Sequence, residues 1–305
     1  MNTESILVVS EIQSDIETIE RDVTLYEETN FSSRADVIDF IDFYIIDRIE
    51  GLLQKAELKE KLTILKQRAE KARCELEKVD LALFRQFREK IRTAIHPGTV
   101  LSKMIHKYLG YDANDISRQD KAGYDNLDVF INGLLSDQGI PEATIEREPE
   151  MVFYQKTPAR IIFGMIQQAE LRPNDVFFDI GSGLGQATIL VNLLSGSMAK
   201  GIEYEPAYCN YAKTCALQLN LSNVEFINQD AHKGDYSQGT VFFMYTPFEG
   251  EMLQGMLEIL QKEAQKRKIR VFTYGPCSSY VARQAWLDCV NGTGDDPYKL
   301  CEFRS

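Results

Sequence analysis

An apolar run, Val176-Phe177-Phe178-Asp179-Ile180, passes directly into Gly181-Ser182-Gly183-Leu184-Gly185, and residues 186–194 then read as helix. A glycine-rich turn between a buried strand and a helix lets backbone approach a ligand closely and aims helix N-terminal amides at it. Residues 198–202, 224–228, 240–244 and 269–274 are further short apolar segments, and 207–219 and 250–266 are helical stretches between them. Strands alternating with helices predict an α/β fold with a mostly parallel, doubly wound sheet, its ligand lying beyond the carboxyl ends of the strands.

Polar residues collect at those ends. Glu203 closes the second strand, 18 residues after Gly185, where a carboxylate can accept hydrogen bonds from both ribose hydroxyls of an adenosine. Asp230 follows the third strand, within reach of the exocyclic amine of an adenine ring. Tyr245-Thr246-Pro247-Phe248 follows the fourth, and Gly275-Pro276 the fifth. The glycine-rich turn alone would serve a nicotinamide, a flavin or an adenosylmethionine cofactor equally well. An adenine-side acid and an aromatic-proline turn have no particular purpose in hydride transfer, which disfavours a nicotinamide-dependent oxidoreductase.

In these residues the chain resembles the class I S-adenosylmethionine-dependent methyltransferases. Their first motif is matched by Asp179 to Gly185, their second-strand acid by Glu203, their adenine-side acid by Asp230, and their post-strand-four motif by Tyr245 to Phe248. Within that class the chain is partly similar to the non-SET histone lysine methyltransferases of the disruptor-of-telomeric-silencing type. That likeness rests on Gln186 directly after the last glycine and on Tyr154-Gln155-Lys156-Thr157 upstream. Uncharacterised bacterial proteins with a helical N-terminus and a Tyr-Thr-Pro-Phe motif look still more like it. The resemblance implies a Rossmann-like methyltransferase sheet, S-adenosyl-L-methionine as cofactor, and cofactor contacts from Tyr154, Thr157, Asp179, Gly181, Ser182, Gly183, Gln186, Glu203, Asp230, Ala231 and Tyr245. It covers roughly residues 150–305.

The acceptor is less constrained. The histone enzymes carry Asn where this chain has Tyr245, and they grip the nucleosome with basic segments, whereas residues 151–305 carry 14 positive and 16 negative side chains. Adenine methyltransferases begin the same motif with Asp or Asn followed by two prolines, and Thr246 breaks that pattern. A protein side chain or small molecule is therefore favoured over nucleic acid. Tyr245 is the candidate for positioning the acceptor, together with the backbone carbonyls of its turn. Glu205, just before Pro206, reads as a helix cap. His232 has the spacing of a base beside Asp230, and no cation is placed to activate Cys277 as a nucleophile.

The first third reads as helix. Residues 35–47 form an amphipathic stretch with an acidic face, behind the capping residues Asn30, Ser32 and Ser33. Residues 52–95 contain no Gly or Pro, and Leu58, Leu62, Leu65, Ala69, Ala72, Leu76, Val79 and Leu83 follow a heptad seam that His96-Pro97-Gly98 ends. Such a seam packs along a partner helix, either in a homodimer or in an intramolecular hairpin against residues 10–50. The charges favour the hairpin: residues 1–50 hold 3 basic and 13 acidic side chains, and 51–110 hold 14 and 7. A further alternative is a cofactor-binding regulatory module that works through this helix. The expected organisation is thus a helical domain over 1–110 and a methyltransferase domain over 111–305.

A net charge of −12 opposes bulk binding to phosphate backbones. The six cysteines contain no CxxC pair and are joined by only three histidines, which fits neither a disulfide framework nor a metal site and points to reduced thiols in a cytoplasmic protein. No apolar run approaches the length of a membrane span, and no export signal opens the sequence, so no membrane partner is expected.

Overall fold

The computed structural model describes residues 3–53, 59–111 and 123–305, excepting the side chains of 3–6. It divides into two compact units. One takes in the described residues up to Phe87 together with Ile105–Tyr111; the other takes in Arg88–Met104 and the described residues from 123 onward.

The first unit is all-α. It comprises α1 (Thr3–Arg21), α2 (Phe31–Phe40), a π-helical turn (Ile41–Ile46), α3 (Asp47–Leu53) and most of α4 (Lys59–Arg92), with the end of α5 (Pro97–Leu109). Leu62, Leu65, Ala69, Ala72 and Leu76 of the heptad seam are buried against Val9, Ile12, Ile16, Ile41, Ile45 and Ile49. This is the intrachain arrangement of the two that the seam allowed; Val79 is only partly buried, and Leu58 lies outside the described residues. The π-turn differs from the regular helix expected over 35–47. It sets Ile41 and Ile46, five residues apart, into the same core, which an α-helical spacing would not do.

Charge complementarity accompanies the packing. Arg68 pairs with Glu20 at 2.6 Å, Arg73 with Asp42 at 2.6 Å and Lys66 with Glu50 at 2.7 Å. Fully buried Arg34 donates to Asp80 at 2.7 Å and to the carbonyls of Leu25 and Glu27. Lys66, Arg68 and Arg73 of α4 therefore face the chain's own acids, and α4 returns Asp80 to Arg34 of α2.

The second unit holds α6 (Asn126–Leu135), α7 (Ala159–Ala169) and a seven-stranded sheet. The strands are β1 (Val176–Ile180), β2 (Met198–Glu203), β3 (Val224–Asn228), β4 (Val241–Tyr245), β5 (Arg270–Tyr274), β6 (Asp288–Cys289) and β7 (Cys301–Arg304). Between them run α8 (Gln186–Ser195), α9 (Pro206–Gln218), α10 (Gly250–Ala264) and the short α11 (Cys277–Val281). The order is β3-β2-β1-β4-β5-β7-β6, parallel through β5, with β7 antiparallel to β5 and β6 antiparallel to β7. The expected mostly parallel, doubly wound sheet is present. Phe177, Phe178, Phe242, Phe243, Val271 and Phe272 are all but inaccessible, as strands covered by helices on both faces must be.

The chain moves outward one way from β1 to β2 and β3, and the other way from β4 onward. The β1/β4 junction is therefore the topological switch point, where diverging connections leave a crevice beyond the strand ends. Among the described residues no helix is long and apolar enough to cross a membrane.

Candidate functional site

A cavity of about 240 Å³ opens at that junction. Of the eleven residues expected to contact a cofactor, Tyr154, Thr157, Asp179, Gly181, Ser182, Gln186, Glu203, Ala231 and Tyr245 line it. Gly183 and Asp230 do not.

The glycine turn is held by its neighbours. The amides of Gly181 and Ser182 both donate to the Ile202 carbonyl at 2.9 Å, fastening the turn to the end of β2. Gly183 (φ +53°) donates its amide to Glu203 Oε2 at 2.7 Å, and the Tyr154 ring lies so close that a Cβ there would sit 2.1 Å from a ring carbon. Gly181 (φ +77°) makes room in the same way for Pro247, whose Cβ would stand 2.5 Å from an added methyl. The turns after β1 and β4 thus interlock, and only glycine fits both contacts.

Asp179 is buried at the end of β1 and accepts a 3.0 Å hydrogen bond from the Thr188 hydroxyl. Burial pushes its carboxyl up to about 7, the Thr188 hydrogen bond works against this, and the charge of Glu203 adds to it. Glu203 is also raised, mainly by burial, although its oxygens accept from the amides of Gly183 and Glu205. Two carboxyls beside one cavity, both resisting ionisation, form a site that gains from a cationic group. Gln186 is buried with neither side-chain oxygen nor nitrogen hydrogen-bonded, and Ser182 Oγ is buried and unpaired as well. Orphaned polar atoms in a cavity wall are costly unless a ligand satisfies them.

Asp230 takes a different position. Its carboxylate accepts from the His232 amide at 2.9 Å and lies 3.1 Å from the His232 ring, and Gln229 and Ala231 border the cavity in its place. Burial disfavours its charge, but the His232 contacts prevail and hold its pKa below the usual range. His232 Nε2 lies 2.7 Å from the Met252 carbonyl, so both ring nitrogens are engaged away from the cavity.

At the end of β4, the Tyr245 ring lies 5.0 Å from Tyr274 on β5. Burial raises the Tyr245 hydroxyl far above the ordinary phenol range and keeps it neutral. Thr246 has φ +40°, an outlier for a β-branched residue; its hydroxyl donates to the Tyr274 carbonyl and accepts from the Cys277 amide. Phe248 both lines the cavity and packs in the core. Cys277 is buried and its thiol pushed up to about 11 by that burial, the opposite of an activated nucleophile.

Sequence reasoning missed how residues 143–157 are fixed. Glu205 caps α9 through the Ala207 amide, as expected, but also accepts from the Thr144 amide and hydroxyl at 2.9 and 2.6 Å and from the Ile145 amide at 3.1 Å. Further on, the Glu150 carboxylate accepts from the Met252 amide at 2.7 Å, and Met151 bridges Phe248. The stretch is thereby tied across the cavity to α9 and α10. Pairing across about 60 and 100 residues leaves no periodic signal, and an acid before Pro206 already has a local explanation.

The sequence model of one family, described as "Histone methylation protein DOT1", matches residues 150–242, the part that holds the glycine turn, Glu203 and Asp230. No curated protein matches the chain. Many solved structures are similar to part of this chain. An RNA methyltransferase from Salinibacter ruber in complex with S-adenosyl-L-homocysteine is 22% identical over 49% of this chain and 92% of its own, with a TM-score of 0.38. A SAM-dependent methyltransferase from Geobacter sulfurreducens, also with S-adenosyl-L-homocysteine, is 23% identical over 42% and 54%, with a TM-score of 0.33. A SAM-dependent methyltransferase from Aquifex aeolicus is 17% identical over 48% and 92%, with a TM-score of 0.38. The chain thus spans nearly all of two of these proteins and about half of the third.

Proposed function

We propose that this chain is an S-adenosylmethionine-dependent methyltransferase acting on a protein side chain or a small molecule. The observation that carries the reading is the cavity at the switch point, whose wall combines the glycine turn, the Glu203 carboxylate and the unpaired polar atoms of Gln186 and Ser182. The donor set fits an adenosylmethionine: Glu203 suits ribose hydroxyls, Gln186 and Ser182 offer free hydrogen-bonding groups, and Asp179 gains from a positive charge. Tyr154, Thr157, Gly181, Gly183, Ala231 and Tyr245 complete the proposed contacts, with Asp230 reaching the adenine side once released from His232.

When bound, the cofactor supplies a methyl group already activated by its sulfonium, so the protein's task is orientation and exclusion of water. The stretch from Thr144 to Thr157, tied to Glu205 and, through Glu150, to the Met252 amide, lines the cavity with Ile145, Val152 and Phe153, apolar side chains suited to keeping water from a bound cofactor. Tyr245 stays neutral, and its hydroxyl can accept a hydrogen bond from an acceptor amine or donate to an acceptor oxygen while the Thr246-Pro247 turn fixes its place. A division into a helical domain over 1–110 and a catalytic domain over 111–305, and a cytoplasmic location, belong to the same proposal. The regulatory alternative loses support because the seam it would use is buried within the chain.

The test is transfer of a labelled methyl group from S-adenosylmethionine into lysate fractionated into protein, nucleic acid and small molecules. Label in the protein or small-molecule fraction, lost with Asp179→Ala, is expected; label confined to nucleic acid, or no label in any fraction, contradicts the reading.

A further inference from the structure

The helical stretch formed by α2, the π-turn and α3 buries one side and leaves the other bare. Asp36, Asp39, Phe40, Phe43, Tyr44 and Asp47 recur along it at alternating spacings of three and one, the pattern of a single helix face, and all except the buried side's residues between them are turned outward. Because the π-turn sends Ile41, Ile45 and Ile46 into the core, Phe43 and Tyr44 between them are carried to the surface. Phe43 is 73% exposed, Tyr44 47% and Phe40 36%. Three neighbouring aromatic side chains gathered on one face make the kind of apolar patch that marks an interaction surface, unlike apolar residues scattered singly.

The rings are arranged to receive a guanidinium. Phe40 and Tyr44 stack with centroids 4.8 Å apart, and the Arg48 guanidinium lies 4.6 Å from the Tyr44 centroid, so this column already carries one cation on an aromatic face. Phe43 has no ring or cationic neighbour among the described residues. Carboxylates surround the rings: residues 35–51 hold five acidic side chains and one basic. Arg48 is itself paired with Glu11 at 3.1 Å, Asp42 and Glu50 are taken by Arg73 and Lys66, and Asp39 and Asp47 are left with no ion pair among the described residues. Partial burial and the charges of Asp42 and Asp36 raise the Asp39 carboxyl, so a cation arriving there is favoured.

Charge decides what fits. A second copy would bring the same acids against this face, and α4, the chain's basic helix, already engages Lys66, Arg68 and Arg73 with its own acids. Anionic lipid and nucleic acid are repelled by residues 1–50, with 3 basic and 13 acidic side chains. We infer that this face docks a basic, arginine-bearing segment of a partner protein, whose guanidinium groups stack on Phe43 and beside the Phe40–Tyr44 column while Asp36, Asp39 and Asp47 hold their charge. Arginine is favoured over lysine because its planar guanidinium stacks on a ring as well as pairing with a carboxylate. The face lies wholly in the first unit, so it operates whether or not the chain transfers methyl groups.

The test titrates fluorescein-labelled nona-arginine and nona-lysine peptides with the full chain at physiological ionic strength, followed by anisotropy. Nona-arginine is expected to bind about fivefold more tightly than nona-lysine, a factor within reach of one cation–π contact at an exposed site. Phe43→Ser should erase that preference, and Asp39→Asn should weaken binding of both peptides. Binding of neither peptide, equal binding of the two, or a preference that survives Phe43→Ser overturns the inference. So does a concentration-dependent dimer in sedimentation that dissociates with Phe43→Ser, because the face would then belong to a second copy, and so does binding to phosphatidylserine vesicles that is lost with the same variant. Phe43 is exposed, so its replacement leaves the core intact; should Phe43→Ser fail to fold, the wild-type preference and the loss with Asp39→Asn decide.

Discussion

Thr144 and Glu205, 61 residues apart, are joined twice: the Thr144 hydroxyl donates to Oε1 at 2.6 Å and its amide to Oε2 at 2.9 Å. With the amides of Ile145 and Ala207, four donors converge on one buried carboxylate that forms no ion pair among the described residues. Burial alone would raise this carboxyl, but the hydrogen bonds outweigh it and hold the pKa below the usual range. The depressed value means that its contribution to stability is present at neutral pH and is lost as pH falls through the acid range.

Glu205→Gln replaces one accepting oxygen with an NH2 group that faces donors. A loss of about 1–3 kcal/mol is expected. Residues 141–157 should become more sensitive to limited proteolysis, and S-adenosylmethionine affinity at neutral pH should fall about tenfold, since one such contact is worth about that factor. Unchanged proteolysis would show that the stretch is held elsewhere.

Asp179→Asn separates stability from binding. With its carboxyl raised to about 7 in the folded chain, the protein binds more protons folded than unfolded between about pH 4 and 7, so stability falls as pH rises through that window. Asn preserves size and can accept from Thr188. The variant should melt at a higher temperature than wild type at pH 7–8, by the equivalent of roughly 2–4 kcal/mol, and the gap should close toward pH 4. Its affinity for S-adenosylmethionine should be lower than wild type throughout.

Gly183→Ala tests the glycine turn. The positive φ costs alanine about 1–2 kcal/mol, and the new methyl meets the Tyr154 ring. Cofactor affinity should drop by about a hundredfold, the equivalent of some 3 kcal/mol, measured by calorimetry, with a smaller loss in melting temperature. Retained affinity would mean that Tyr154 is free to move aside.

Leu65→Ala, at the buried centre of the seam, should destabilise the helical unit by about 2–5 kcal/mol in chemical denaturation followed by circular dichroism. A change within 0.5 kcal/mol, roughly the range of surface substitutions, would show that the seam is not the core of that unit.

The sheet is legible where short apolar runs alternate with helical stretches: the sequence marks 176–180 and 224–228 to the residue, although β3 is a half-exposed edge strand, and the remaining parallel strands within one residue. Antiparallel β6 and β7 were not. Cys301-Glu302-Phe303-Arg304 is too short and too polar to announce itself, and its pairing with β5 is a tertiary event. Helix α7 was passed over too, although Ile161, Ile162 and Met165 lie buried along it. Most expected cofactor residues fell at strand ends because the fold dictates where ligands bind. Asp230 shows what spacing cannot see: it follows β3, but its side chain turns to His232 two residues on.

The most direct test of the central claim is calorimetric titration of the full chain with S-adenosylmethionine, alongside NAD. One cofactor per chain, an affinity reduced at least tenfold by Glu203→Ala, and no competition from NAD are predicted. No heat of binding with S-adenosylmethionine, or displacement of it by NAD at comparable concentration, would contradict the account.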